Sequence, residues 1–391
     1  MGKRQGRYLI PLGTVWDAYY DCVKNKRNTM NAMLFNADLE HNIRRLWRDI
    51  NEGTYTIGRS IAFIVEHPVK REVFAADFRD RIVHHWICLR LIPMFEAYLS
   101  PRMFSNRTGK GTLGAIYNVA FDLYNVTDGY TRDAWIWKYD LRGFFMSIDK
   151  RLLNRKLQAF IDERYDAPDK PVLKWLTELV VMHCPQKNCI RKSRPEAWAG
   201  LRPEKSLFNQ DDWHGLAIGN LTSQLFANFT LMDMVRFVQD HGFEAITQYV
   251  DDCTVVTDRP KEDILAFIPV LRTWLRQALG LELHPRKCYL QHYTKGVPFV
   301  GGIIKPHRVY ISKRTIRRGL AKLHYLLESG AYLTNPEAFL ASVNSYLGMS
   351  QHFRAYKFRK EIADRVLARH SGLYAFTKDC KSMVIINPSM I

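Results

Sequence analysis

Asp251 and Asp252 stand side by side between apolar, strand-forming flanks, in Gln248-Tyr249-Val250-Asp251-Asp252-Cys253-Thr254-Val255-Val256. Two carboxylates that close repel each other and cost stability unless a cation holds them. The turn of a hairpin is where such a pair can face a metal. A second acidic position, Asp140, lies in Lys138-Tyr139-Asp140-Leu141-Arg142-Gly143-Phe144-Phe145, at the end of an apolar strand and before residues that start a helix. Two such elements set side by side would bring Asp140 and Asp251 together. Mg²⁺ takes octahedral oxygen ligands and keeps water or substrate phosphate in the remaining positions. Two such ions about 3.5–4 Å apart clamp the attacking and leaving oxygens of an in-line phosphoryl displacement. An isolated Asp-Asp dipeptide is usually a solvated turn, and the residues by themselves leave that reading open beside the metal one.

The elements that must position these groups need a sizeable core. The chain has 391 residues, 47% of them hydrophobic, enough for two or three subdomains. Lys and Arg number 57 against 39 Asp and Glu, a formal charge of +18. Such a surplus needs a polyanionic partner, nucleic acid first and an anionic membrane surface second, or else tolerates considerable self-repulsion. From Ile311 onward, 13 basic residues meet 5 acidic ones, interleaved with Leu, Tyr and Phe in the manner of folded helices with one charged face. The opening MGKRQGRYLIPLG has no apolar stretch that suits a signal peptide. No run reaches about 18 uncharged apolar residues, so no membrane span is expected. Seven cysteines fit a reducing cytoplasm. Cys184 and Cys189 flank four residues, with His183 adjacent, but zinc needs a second ligand pair and none is evident, so free thiols are expected.

Along the chain, residues 15–50 carry apolar positions at helical spacing and predict one or two basic amphipathic helices. IAFIVEHPVKREVFAAD predicts paired strands, and FRDRIVHHWICLRLIPMFEAYL returns to helical period. DAWIWKYDLRGFFMSI predicts a buried strand running into a helix. Residues 184–215, polar and dense in Pro and Gly, predict the longest loop. LTSQLFANFTLMDMVRFVQDHG predicts a helix, and ITQYVDDCTVVTD a strand pair with a tight acidic turn. KEDILAFIPVLRTWLRQALGLEL predicts a helix into a strand, VPFVGGIIKPHRVYIS another hairpin, and the remainder helices. The middle of the chain is expected to be a sheet with helices packed on it, an α+β arrangement.

From about Arg71 to about Gly302 the motifs resemble the fingers and palm of reverse transcriptases. REVFAADFRDRIVHHWI is similar to their fingers segment and PMFEAYLSPRMFSNRTGKGT to the template-contacting element that follows. YDLRGFFMSID resembles the first palm motif, IGNLTSQLFAN the second, YVDD the third and LGLELHPRKCYL the fourth; KGVPFVGGIIKPH resembles the primer-grip hairpin. The resemblance implies a right-hand polymerase: fingers with N-terminal helices over 1–134, palm over 135–305 with the 184–215 insertion, and a helical thumb over 306–391. The second palm motif reads Ile218-Gly219-Asn220-Leu221-Thr222-Ser223-Gln224, where group II intron and retron enzymes carry Gln-Gly-x-x-x-Ser-Pro. With KSLF (Lys205 to Phe208) and HGLA just upstream, that form resembles reverse transcriptases of diversity-generating retroelements. These copy a template-repeat RNA unfaithfully at adenines.

The resemblance implies roles residue by residue. Asp140, Asp251 and Asp252, with the Leu141 carbonyl, would hold two Mg²⁺ ions, for which Mn²⁺ can substitute. Lys287 would steady or protonate the leaving pyrophosphate. Lys70, Arg71, Phe145, Ile218, Gly219 and Gln224 would face the incoming deoxynucleotide, Phe145 by excluding a ribose 2′-hydroxyl. Arg107, Lys110, Tyr249 and Gly301 would contact template and primer. Partners would be template RNA, the cDNA/RNA hybrid, deoxynucleoside triphosphates and a pentameric accessory variability protein. Two alternatives stay open: a group II intron-like or retron-like enzyme, and a non-catalytic RNA-binding protein with a polymerase fold.

Overall fold

The computed structural model describes residues 9–24, 29–67 and 69–386; the opening MGKRQGRY and the end of the expected thumb, 387–391, lie outside the described residues. Helices α1 (Leu12–Val23), α2 (Met30–Asn36) and α3 (Leu39–Asn51) come first, then β1 (Ser60–Val65), β2 (Arg71–Ala75), α4 (Phe78–Tyr98) and α5 (Gly111–Val126). Next are β3 (Trp135–Asp140), α6 (Phe144–Ser147), α7 (Lys150–Arg164), α8 (Lys170–Met182), β4 (Cys189–Arg191) and α9 (Leu221–Asp240). They are followed by β5 (Ile246–Tyr249), β6 (Asp252–Thr257), α10 (Lys261–Trp274), β7 (Tyr289–His292), β8 (Val297–Phe299), β9 (Gly302–Lys305) and β10 (Arg308–Ile311). The C-terminal part carries α11 (Lys313–Glu328), α12 (Ala331–Thr334), α13 (Pro336–Ser350), α14 (Tyr356–His370), β11 (Tyr374–Phe376) and β12 (Met383–Ile385). Helices and mainly antiparallel sheets make this an α+β fold.

The chain divides into two compact units, each assembled from segments distant in sequence. The first holds residues up to Arg107, Asp140–Gly242 and Leu265–Lys287; the second holds Thr108–Tyr139, Phe243–Ile264 and everything from Cys288.

In the first unit, α4 and α9 pack against each other. Most of α9 is buried, from Thr222 to Val238, so its apolar residues surround the helix instead of forming one stripe. Phe95 of α4 stacks on Phe229 of α9 with centroids 4.9 Å apart. The Asp77 side chain caps α4 and that of Asp149 caps α7. β1 pairs with β2 antiparallel, Ala62 opposite Phe74, and with β4 in parallel, Ser60 opposite Cys189. Ala62, Phe74, Met146, Leu207 and Ala217 form the cluster beneath this sheet. The 184–215 segment is ordered by short 3-10 turns, at Pro185–Lys187, Pro195–Trp198, Pro203–Lys205 and Leu207–Asn209, as well as by β4.

In the second unit, four strands run in the order β5-β6-β3-β7, and α5 packs on β5 and β6. Asn118 of α5 donates to Thr247 of β5 across 2.8 Å. The expected hairpin over 297–312 is instead a three-stranded meander, β8-β9-β10. The C-terminal part is not purely helical: β11 and β12 pair, and Tyr374 and Met383 join the apolar cluster of α11, α13 and α14. The strand expected in LGLEL does not form; Leu283 makes only an isolated bridge to Leu141, within the first unit. Strands of three or four residues are too short for a period of two to register in sequence.

Candidate catalytic and nucleotide-facing residues

The acidic turn joins β5 to β6, with Tyr249 paired opposite Asp252. Two residues make the turn, and Val250 takes φ 55°, a region β-branched side chains rarely occupy. Such strain is held only where the surroundings over-determine it. Gln248, fully buried, donates its side-chain amide to the Val250 carbonyl and braces the turn from within. The turn thereby leaves Asp251 and Asp252 half-buried at the sheet's end.

Lys138 of β3 reaches the same turn. Its ammonium lies 2.8 Å from Asp252 Oδ2 and 2.9 Å from the Pro298 carbonyl, and 5.4 Å from the Phe299 ring centroid. Tyr249 Oη lies 3.4 Å from Thr112 Oγ1 on α5. Gly301, expected at the primer grip, forms the β8–β9 turn with Val300, both at positive φ, and its carbonyl accepts from the Ser312 amide at 3.0 Å. That two-residue turn with both φ positive matches the twist of a hairpin. Lys110 precedes α5 directly.

In the first unit, Asp140 stands where β3 ends. Its Oδ2 accepts from Lys287 Nζ at 2.7 Å, and its carbonyl accepts from the His284 amide at 2.7 Å. The Arg142 amide donates to the Glu282 carbonyl at 2.8 Å. These two bonds flank Leu141, so Leu141 itself spends neither amide nor carbonyl on that pairing. Burial holds the His284 imidazole below its ordinary range, reinforced by Lys287.

Ile218 and Phe145 are half-buried and both pack on the cluster beneath β1 and β2. The Phe74 amide donates to the Ile218 carbonyl at 2.9 Å, and the Leu216 amide to the Phe145 carbonyl at 2.8 Å. Gly219 has φ 120°, and a Cβ there would stand 2.7 Å from Val73 Cγ1 and 3.2 Å from the Phe74 carbonyl oxygen. Only glycine lets the backbone approach β2 so closely. Asn220 stands at the N-cap of α9 but gives its side-chain oxygen to the Ala76 amide at 3.2 Å, tying the motif to the end of β2. Gln224 lies half-buried in the first turn of α9, and Arg71, first residue of β2, is exposed. Lys70 donates to the Ala199 carbonyl at 2.7 Å.

Arg107 is differently occupied. Its guanidinium forks onto Glu96 at 2.7 and 2.9 Å and donates to the Ser100 and Met103 carbonyls at 2.6 and 3.2 Å. Those donors are spent within the protein. Cys184 Sγ accepts from the buried Lys150 ammonium at 3.1 Å. Sequence reasoning passed over Lys138 and Glu72, the latter a buried carboxylate on β2; each is a charge set into an otherwise apolar strand pattern.

Among the described residues, no group of three or more His, Cys, Asp or Glu side chains is gathered so as to hold a metal by itself. Mg²⁺ asks for less, often one or two carboxylates completed by water and substrate phosphate. Asp140 and Asp252 each hold a lysine ammonium at 2.7–2.8 Å, a stand-in for a cation. Each is a hard oxygen donor already paired with positive charge, and the chemistry of each suits such an ion. Among the described residues, no helix is long and apolar enough to cross a membrane.

A telomerase from Candida albicans, solved with a TWJ fragment of telomeric RNA, is 11% identical over 81% of this chain and 61% of its own, with a TM-score of 0.43. A truncated apo telomerase from Candida tropicalis is 11% identical over 66% of this chain and 55% of its own, with a TM-score of 0.47. The chain thus spans about 55–61% of the length of these structures, and the likeness is too low to carry an argument. No curated protein matches the chain. The profile described as reverse transcriptase (RNA-dependent DNA polymerase) matches residues 71–304, more than half of the chain. On that match, the chain belongs to the reverse transcriptase family.

Proposed function

We propose that this protein is an RNA-directed DNA polymerase that extends a primer along an RNA template, and that it makes error-prone cDNA for a diversity-generating retroelement. What supports the first part is the sheet order β5-β6-β3-β7, which sets β3 beside the hairpin that carries the Asp251-Asp252 turn. The reaction is attack of a primer 3′-hydroxyl on the α-phosphorus of a deoxynucleoside triphosphate. Catalysis is mostly positioning and charge neutralisation.

Asp140, Asp251 and Asp252 would hold divalent metal, Mg²⁺ by preference, with the Leu141 carbonyl as a further oxygen. When bound, the metal supplies Lewis acidity toward the phosphoryl oxygens and the primer hydroxyl. The chain's own groups do the rest. Lys287 leaves Asp140 to steady the leaving pyrophosphate, and Lys138 balances Asp252. Gly219 opens the backbone toward the base and sugar, and Phe145 closes the space below the ribose. Lys70, Arg71 and Gln224 face the nucleotide, and Lys110, Tyr249 and Gly301 face template and primer. Arg107 serves by fastening the 96–107 segment that precedes Lys110, with its phosphate contact secondary.

The finer reading is supported by the Ile218–Gln224 motif with KSLF and HGLA upstream, and Ile218 is its link to fidelity, though not by itself the source of adenine selectivity. An amide at this position could hydrogen-bond the incoming nucleotide, whereas an aliphatic side chain cannot, and a lost polar contact weakens the difference between right and wrong pairs. We expect cDNA from the wild-type protein to carry substitutions opposite template adenine and Ile218→Gln to lower their rate, by about tenfold at most. Sequencing cDNA from both on one template checks this; equal adenine error rates would show that Ile218 does not set fidelity and weaken that link to the retroelement reading, and a wild type without adenine substitutions would favour a group II intron-like or retron-like enzyme. The same reading implies a pentameric accessory protein on a shared RNA. Co-purification before and after nuclease treatment tests that partner, and its absence from cells carrying the whole locus would exclude it.

A further inference from the structure

Glu72 is fully buried on β2, one residue after Arg71. Its Oε2 accepts from Trp198 Nε1 and Ser206 Oγ, both at 2.7 Å, and its Oε1 accepts from the Leu207 amide at 2.6 Å. Among the described residues no ion pair reaches it. Burying a carboxylate on neutral donors alone is expensive, and an apolar residue would fill the same space at lower cost. What the carboxylate adds is geometry: three donors from one short segment fix β2 in one register and one distance.

That segment touches much of the wall assigned above to the nucleotide. Lys70 bonds it at Ala199. The Glu204 carbonyl lies 2.9 Å from where a Cβ on Gly143 would stand, and Gly143, at φ 55°, precedes Phe144 and Phe145. Phe208 packs on Phe74 with centroids 5.2 Å apart, and Leu207 shares the cluster on which Phe145 and Ile218 pack. β2 is thus fastened to 198–208 by its side chains and to 218–220 by its backbone.

We propose that Glu72 is a positioning residue that determines substrate selectivity. It holds β2, Phe145 and Ile218 as one wall in a fixed register, and that register sets how closely the nucleotide's sugar is sorted. This inference rests on the nucleotide-facing reading of the first unit.

The test compares wild type with Glu72→Gln, Ser206→Ala and Trp198→Phe, the last two each removing one donor while keeping the carboxylate. Measured are kcat and KM for a deoxynucleotide on an RNA template, the deoxy-to-ribo ratio of kcat/KM, and amide hydrogen exchange over residues 71–75 and 198–208. Glu72→Gln should raise the nucleotide KM about tenfold with kcat nearly unchanged, lower the deoxy preference, and speed exchange in those two segments. The single-donor variants should move the same readouts less, and they decide the matter if Glu72→Gln does not fold. Faster exchange with unchanged KM and unchanged sugar preference would reduce Glu72 to a structural staple and overturn the proposal alone. A wild-type protein without template-dependent incorporation would overturn the polymerase reading, and this inference with it.

Discussion

On the proposed reading, one side chain, Phe145, carries a choice of substrate. Its ring is half-buried against the cluster that includes Met146 and Ala217, and it meets Phe144 edge-on at 5.4 Å. On that reading, a ring held there would collide with a ribose 2′-hydroxyl. Phe145→Val is expected to raise the ribo-to-deoxy ratio of kcat/KM by about tenfold or more, since one steric clash of this kind is worth about 1–3 kcal/mol. An unchanged ratio would leave the ring a packing residue only. Phe145, Ile218 and the aspartates were legible in sequence because they stand at set distances within local motifs. Lys138 and Glu72 were not, because their partners lie 114 and 126–135 residues away and nothing local marks a charge in a strand as buried. Arg107 shows the converse: its motif suggests a phosphate contact, and only the fold reveals that Glu96 already occupies the guanidinium.

At the scale of elements, α11 turns Lys313, Arg314 and Arg317 outward and buries Gly319, Leu323 and Leu327. Alanine usually improves a helix over glycine by about 0.5–1 kcal/mol. At Gly319 a Cβ would stand 2.9 Å from Phe358 Cζ and 3.0 Å from Tyr346 Cδ1, where α11 meets α14 and α13. Overpacking of that kind costs about 1–3 kcal/mol. Gly319→Ala should therefore lower the melting temperature, and a rise would show that the rings yield freely. Long helices and the β5–β6 hairpin were legible because period and turn chemistry agree over many residues. The β8-β9-β10 meander and the β11–β12 hairpin were not, because each strand is three or four residues long and its partners are chosen by packing. The 184–215 segment read as a loop by composition; its 3-10 turns and the Glu72 anchor come from tertiary contacts.

At the scale of the molecule, charge and pH act together. The +18 surplus suits a polyanionic partner, so binding to nucleic acid should weaken steeply with salt. Within the first unit, burial pushes His84 down to about 3, and burial with nearby Lys150 brings His183 to about 4. Unfolded, both titrate near the ordinary histidine value of about 6.5. The unfolded chain therefore takes up protons first as pH falls. The stability these two groups protect is full above about 6.5 and is lost progressively toward the folded values, at about 1.4 kcal/mol per pH unit for the fully buried His84. Melting temperature should fall between pH 7 and pH 5, and His84→Gln should flatten that slope; an identical slope in the variant would contradict the assignment. The central claim is that the acidic turn is catalytic and not part of the core. Primer extension on an RNA template with Mg²⁺, run beside a thermal melt, tests it most directly. Asp251→Asn should abolish extension while leaving the melting temperature within a few degrees of wild type, whereas extension retained by the variant would contradict the account.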